Sequence, residues 1–180
     1  MEHMTTFTGE DFTPLNPNAE QILIEDIAHA LSLMCRANGH FKRFYSVAQH
    51  SINCAAEAKA RGLSVRVQLA CLLHDGSEAY IADMVRPVKK HLPEYIAIEN
   101  RLQGCIYEKF LGSTLTADEN ALVDEIDNAL LVCEFDALMN KRVFDSVPII
   151  KSTPNFELRD FGAVEDEFIS VYKEGNNGLS

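Results

Sequence analysis

Ile24, Ile27, Ala28, Leu31 and Met34 recur at steps of three and four along residues 20–34, the spacing that places apolar side chains on one face of an α-helix. Asn38-Gly39 closes that segment. Ser46 followed three residues later by Gln49 forms a capping box, so a second helix begins there and runs to Arg61 before stopping at Gly62. A third is expected after Ser64, through QLACLL to His74. A short helical turn, SEAYIADM, should then end at Arg86-Pro87, because proline lacks an amide hydrogen.

Pro93 opens a long helix that Gly112 closes after Phe110. Thr116 and Glu119 make another capping box, heading a helix to about Asn140. VPIIKSTPNFEL reads as extended and proline-punctuated, and FGAVEDEFISVY as a closing helix. Strand signals do not recur, so the expected fold is an all-α helical bundle of about six or seven helices. No internal repeat and no linker-like stretch interrupts residues 1–180, so a single domain is expected.

Charge narrows the partners. A net charge of −11 disfavours broad binding to polymeric nucleic acid or to anionic membrane, since both are held by Lys and Arg. Two short spans, Arg36 to Arg43 and Arg86 to Lys90, hold basic residues and no acid, so a small anion should be drawn there. Met1 to Thr13 contains no apolar run of signal-peptide length, and no stretch reaches bilayer-spanning length. A cytoplasmic protein is expected. Five cysteines at 35, 54, 71, 105 and 133 never form a C-x-x-C pair and mostly sit among apolar neighbours. They are expected to be reduced core residues.

The chemistry concentrates in polar residues at positions where hydrocarbon is expected. His74 and Asp75 end an otherwise apolar helix, and neither belongs in an apolar interior without a partner. A divalent cation would satisfy both, because imidazole nitrogen and carboxylate oxygen are good ligands for it. His50 lies one turn into its helix on an inward face. Asp127 lies between Ile126 and Leu130, on a stripe that also includes Val123 and Glu134. Asp124, in the same turn, is its rival, and Asp127 is favoured by apolar neighbours on both sides.

The order His50, then His74-Asp75, then Asp127, on three helices, resembles the H…HD…D signature of the HD-domain phosphohydrolases. YSVAQHS, LLHDGSEAYIADMVRPVK and IDNALL carry the match, which covers residues 45 to 131. Within that superfamily the chain is similar to bacterial 5'-deoxynucleotidases and small phage dATP triphosphohydrolases. The resemblance implies an HD-domain bundle with one divalent cation (Mn, Co, Mg, Fe, Ni or Zn) held by His50, His74, Asp75 and Asp127. It implies that Glu78 and Asp83 handle the attacking water and the leaving group.

Arg36 and His40 precede the first ligand helix, where relatives bind substrate phosphate, although Ala37 stands where an aromatic residue is often seen. Lys89, in the other basic span, is a further phosphate candidate. His29 is expected to be structural. His91 alone does not supply the additional histidines of two-metal relatives, so a mononuclear site is expected. The substrate implied is a small-molecule nucleotide, first a deoxyribonucleoside 5'-monophosphate. The alternatives are a deoxynucleoside triphosphate triphosphohydrolase and a non-catalytic, metal-bound regulatory module. Related enzymes are often dimers, so a homodimer is compatible with the resemblance.

Overall fold

The computed structural model describes residues 3–179. Among them a two-stranded antiparallel ribbon, β1 (Met4–Thr5) and β2 (Asp11–Phe12), precedes an all-α bundle. Six helices are long: α1 (Ile24–Leu33), α2 (Val47–Ala60), α3 (Val65–Leu73), α6 (Pro93–Leu111), α7 (Ala117–Leu138) and α8 (Phe161–Leu179). Two single turns, α4 (Glu78–Ile81) and α5 (Arg86–Lys89), lie between α3 and α6. No helix among the described residues is long and apolar enough to cross a membrane.

Local chemistry sets most of the boundaries. Ser46 Oγ accepts from the Gln49 amide at 3.1 Å while Gln49 Oε1 accepts from the Ser46 amide at 3.3 Å, which satisfies two donors at the head of α2. Thr116 and Glu119 repeat the device on α7. Gly112 ends α6 in the left-handed conformation, with φ +80°.

Three boundaries differ from expectation. The first helix starts at Ile24, four residues late, because Asn18 caps a separate 3₁₀ turn at Ala19–Gln21. The SEAYIADM turn ends at Ile81, ahead of Pro87. Ala82 breaks it by adopting φ 74°, ψ 155°, and its carbonyl accepts from the Tyr95 hydroxyl at 2.6 Å. Pro87 then sits in the first turn of α5, where a missing amide hydrogen costs nothing, so it opens a helix instead of stopping one.

Helix α2 lies at the centre and packs on α1, α3, α7 and α8. Its apolar side presents Val47, Ala48, Ile52, Cys54, Ala55 and Ala58 to one continuous cluster with Leu31, Leu72, Ile126, Leu130 and Phe168. Its polar side is covered as well. Gln49, Asn53 and Glu57, one turn apart, bind the backbone of the extended segment 151–157. Gln49 Nε2 donates to the Glu157 carbonyl, Asn53 exchanges two hydrogen bonds with Asn155, and Glu57 accepts from the Lys151 and Ser152 amides. Side chains of a helix thus stand in for the partner strand that this extended segment lacks.

Candidate metal centre

Four of the predicted site residues come together from three helices. His50 is fixed from behind: its Nδ1 lies 2.5 Å from Glu134 Oε1. Burial opposes a charge on Glu134, yet His50 and Arg36 outweigh it and hold its carboxyl below the usual range, so His50 Nδ1 carries the proton. His74 caps α3, and its Nδ1 lies 2.8 Å from the Cys71 carbonyl, which can only accept. Both rings therefore have Nδ1 engaged as a donor and Nε2 turned toward the other. The two Nε2 atoms stand 3.2 Å apart.

Carboxylate oxygens surround the same point. Asp127 Oδ1 is 3.1 Å from His50 Nε2 and 3.8 Å from His74 Nε2. Asp75 approaches His74 Nε2 with Oδ1 at 3.3 Å and His50 Nε2 with Oδ2 at 3.8 Å. Cys54, one turn beyond His50, brings Sγ to 3.4 Å from His50 Nε2. His50, Cys54 and His74 offer ligand atoms all within 4.8 Å of one another, a group that can hold a metal ion.

The spacing fits such an ion: donors at about 2.1 Å from one cation and at right angles to each other stand about 3 Å apart. The charge balance points the same way. Imidazole nitrogens and carboxylate oxygens crowded together need positive charge among them, which Arg36 and Arg86 supply in part. Burial and Arg36 oppose a charge on His50, but Cys54, Glu134 and Asp127 outweigh them and raise its pKa well above the ordinary value. Burial likewise opposes ionisation of Asp127 and Asp75. Hydrogen bonds from His50 and His74 nevertheless hold Asp127 far below the usual carboxylate range, and His74 and Arg36 depress Asp75.

Asp124, the rival to Asp127, is exposed, and its carbonyl accepts from Asn128 Nδ2. The structure therefore brings Asp127, not Asp124, to the centre. Glu78 and Asp83 lie beside the cluster in a cavity of about 540 Å³ that also reaches Asp75 and Asp127. Their environments push the other way. Burial, then the neighbouring Asp75 and Asp83, raise the Glu78 pKa well above normal, and burial raises that of Asp83. Glu78 Oε2 is buried without a hydrogen-bond partner among the described residues. Two acids held ionised beside two acids held toward protonation is an arrangement suited to proton transfer. Asp83 follows Ala82, whose φ/ψ is a region that essentially only glycine occupies at ease.

Arg36 is placed differently from a free phosphate ligand. Its side chain is 10% exposed, and the guanidinium donates from Nε to Glu134 Oε2 at 3.2 Å and from Nη1 to Asp75 Oδ2 at 3.1 Å. It is the internal counter-charge of the acid cluster and also lines the cavity. The turn behind it is strained, with Ala37 at φ 52° and Asn38 at φ 49°. His40 is exposed at the cavity rim. Lys89 lines the cavity and pairs with Glu99.

Two residues were not singled out in the sequence. Arg86 extends over the mouth, donating from Nη2 to Asp127 Oδ2 at 2.5 Å and from Nη1 to Asn128 Oδ1 at 2.6 Å. Its signal was the basic span it begins. Glu134, fully buried, holds His50, Arg36 and the Tyr45 hydroxyl together. Its signal was its place on the Val123–Asp127 stripe, two turns beyond Asp127. The opposite cavity wall is apolar, built from Phe41, Leu131, Phe135 and Met139.

Of the other histidines, His29 stacks on Phe7 with centroids 3.7 Å apart and pairs with Glu165, tying α1 to α8, and His91 is exposed. All five cysteines are free thiols. Cys54 is buried in the core cluster as expected, with its sulfur against the His50 ring.

No family model matches the chain. It is 37% identical over 110 residues to Uncharacterized protein YfdR of Escherichia coli, covering 61% of this chain and 59% of that protein. It is 38% identical over 109 residues to an uncharacterized protein of Rhodobacter capsulatus, covering 57% of this chain and 55% of the other. The chain thus spans little more than half the length of these relatives, and neither name states an activity.

Proposed function

We propose that this protein is a metal-dependent phosphohydrolase of the HD superfamily. In this proposal it removes phosphate from a nucleotide, first a deoxyribonucleoside 5'-monophosphate. The observation that carries the assignment is the convergence of His50, His74, Asp75 and Asp127 with their Nε2 atoms 3.2 Å apart, beside the raised acids Glu78 and Asp83. These four residues would hold one divalent cation (Mn, Co, Mg, Fe, Ni or Zn). When bound, such a cation polarises phosphoryl oxygens and lowers the pKa of water toward about 7.

The chain's own groups divide the rest of the work. Glu78, which lines the cavity, acts from its ionised form and takes the proton of the attacking water as the water oxygen bonds to phosphorus. Asp83, the second acid, returns a proton to the 5' oxygen as the old P–O bond breaks. Arg86 and Lys89 supply positive charge for the phosphate, Arg86 through a planar fork of donors suited to it. His40 stands at the rim. Arg36 keeps Asp75 and Glu134 ionised and oriented. Phe41, Phe135 and Met139 give the nucleoside an apolar surface.

The decisive experiment is hydrolysis of a nucleotide panel by the full chain after chelation and re-addition of Mn, Co, Mg and Zn. Metal-dependent release of phosphate from dAMP is expected. Release of triphosphate from dATP, with dAMP untouched, would move the substrate to triphosphates. Bound metal with no turnover on any nucleotide would contradict an enzymatic role.

A further inference from the structure

Glu78 and Asp83 flank a residue held in a costly conformation. Of the three non-glycine residues with positive φ among the described residues, Ala37 and Asn38 have the ψ of a left-handed turn, whereas Ala82 combines φ 74° with ψ 155°. Only glycine occupies that region at ease, so contacts must hold an alanine there. The Ala82 amide donates to the Glu78 carbonyl at 2.8 Å, the bond that closes α4. The Ala82 carbonyl accepts from the Tyr95 hydroxyl at 2.6 Å, a contact that comes from α6. Burial, then Glu99, Glu78 and Asp83, raise the Tyr95 pKa above its ordinary value, so the hydroxyl keeps its proton and donates the hydrogen bond. Asp83, Met84 and Val85, which follow Ala82, all line the cavity, so the direction in which the chain leaves Ala82 sets where Asp83 stands. Tyr95 is outside that lining and acts from behind it. Its ring also lies 6.0 Å from the Lys89 ammonium, which pairs with Glu99, one turn further along α6.

We propose that Tyr95 is a positioning residue for the hydrolysis: its hydroxyl holds the strained Ala82 turn and thereby aims Asp83 at the phosphate ester. The inference rests on the phosphohydrolase reading above and on the proton it assigns to Asp83. Without the hydroxyl, Ala82 is free to relax toward an ordinary negative φ, and the chain that carries Asp83 turns away from Glu78. Tyr95→Phe deletes this tether and leaves the ring beside Lys89. Ala82→Gly removes the strain and, with it, most of the need for the tether.

The test compares the full chain as wild type, Tyr95→Phe, Ala82→Gly and the double variant, each loaded with the divalent cation that supports wild-type turnover of dAMP. Deleting this one neutral hydrogen bond should lower kcat about tenfold, less than the about 10²–10⁴-fold that losing a proton-transfer group costs. KM should stay within about twofold, because the ring beside Lys89 is kept, and metal content should not change. In the Ala82→Gly background the same change should cost less than about threefold. An unchanged kcat in Tyr95→Phe, with or without a loss of stability, or an equal loss in both backgrounds, would overturn the positioning role. Amide hydrogen exchange at Ala82, followed by NMR, needs no turnover and should speed at least about tenfold in Tyr95→Phe. A wild type that turns over no nucleotide would overturn the phosphohydrolase reading and leave the tether to this exchange, where an unchanged rate would overturn the tether as well.

Discussion

Glu57 should be one of the most stability-sensitive residues outside the centre, and Glu57→Gln and Glu57→Ala probe it at two strengths. Its carboxylate is fully buried, receiving Arg61 Nε at 2.8 Å and the Ser152 and Lys151 amides at 2.7 and 3.0 Å. Alanine leaves two backbone donors and the Arg61 Nε without their acceptor, while Arg61 Nη1 keeps Glu125. Each orphaned buried donor costs about 1–3 kcal/mol, and partial peeling of segment 151–152 into water relieves some of it, so about 2–4 kcal/mol should be lost at pH 7. Glutamine keeps one acceptor oxygen and should lose about half as much.

The charge adds a pH signature. Burial opposes ionisation, but hydrogen bonds from Arg61, Ser152 and Lys151 outweigh it and pull the carboxyl down to about 2. Because the folded pKa lies below the unfolded one, this stabilisation is complete above the unfolded value of 4.5. It is lost as pH falls from there toward about 2, a total on the order of 3 kcal/mol. Urea denaturation of wild type and Glu57→Gln at pH 7 and at about pH 3 reads both effects. The stability gap between them should narrow at the lower pH. Equal stability at pH 7, or a gap that widens on acidification, would refute the reasoning.

Other perturbations separate positioning from chemistry. Glu134→Gln should weaken divalent-cation binding about 10–100-fold, measured by calorimetry, because it loosens the His50 ring and its tautomer. Glu78→Ala should lower kcat by about 10²–10⁴-fold while metal content and nucleotide affinity stay near wild type. Ala82→Gly should raise the melting temperature, a gain of about 1 kcal/mol from relieving the strained φ/ψ ahead of Asp83.

Helix α2 shows what the sequence could and could not disclose. Its start was legible because the Ser46–Gln49 capping box is local chemistry, and its inward histidine because apolar neighbours flank it. That Gln49, Asn53 and Glu57 would seat segment 151–157 was not legible, since about a hundred residues separate the partners and nothing in either stretch signals the other. Stripe position alone favours Asp127 over Asp124, because a 3.6-residue period fixes direction. The partners of Arg36 are not legible in the sequence, since Glu134 and Asp75 reach it only through tertiary packing. Pro87 reads as a stop in the sequence because proline both ends and opens helices, and only Ala82's backbone decides between them here.

Metal analysis of the purified full chain, its Asp127→Ala and its Asp124→Ala variants, paired with phosphate release from dAMP, tests the proposed centre most directly. Wild type and Asp124→Ala should each bind one divalent cation per chain and turn over, whereas Asp127→Ala should do neither. Cation binding and turnover retained in Asp127→Ala, or a wild-type chain that binds no divalent cation, would contradict it.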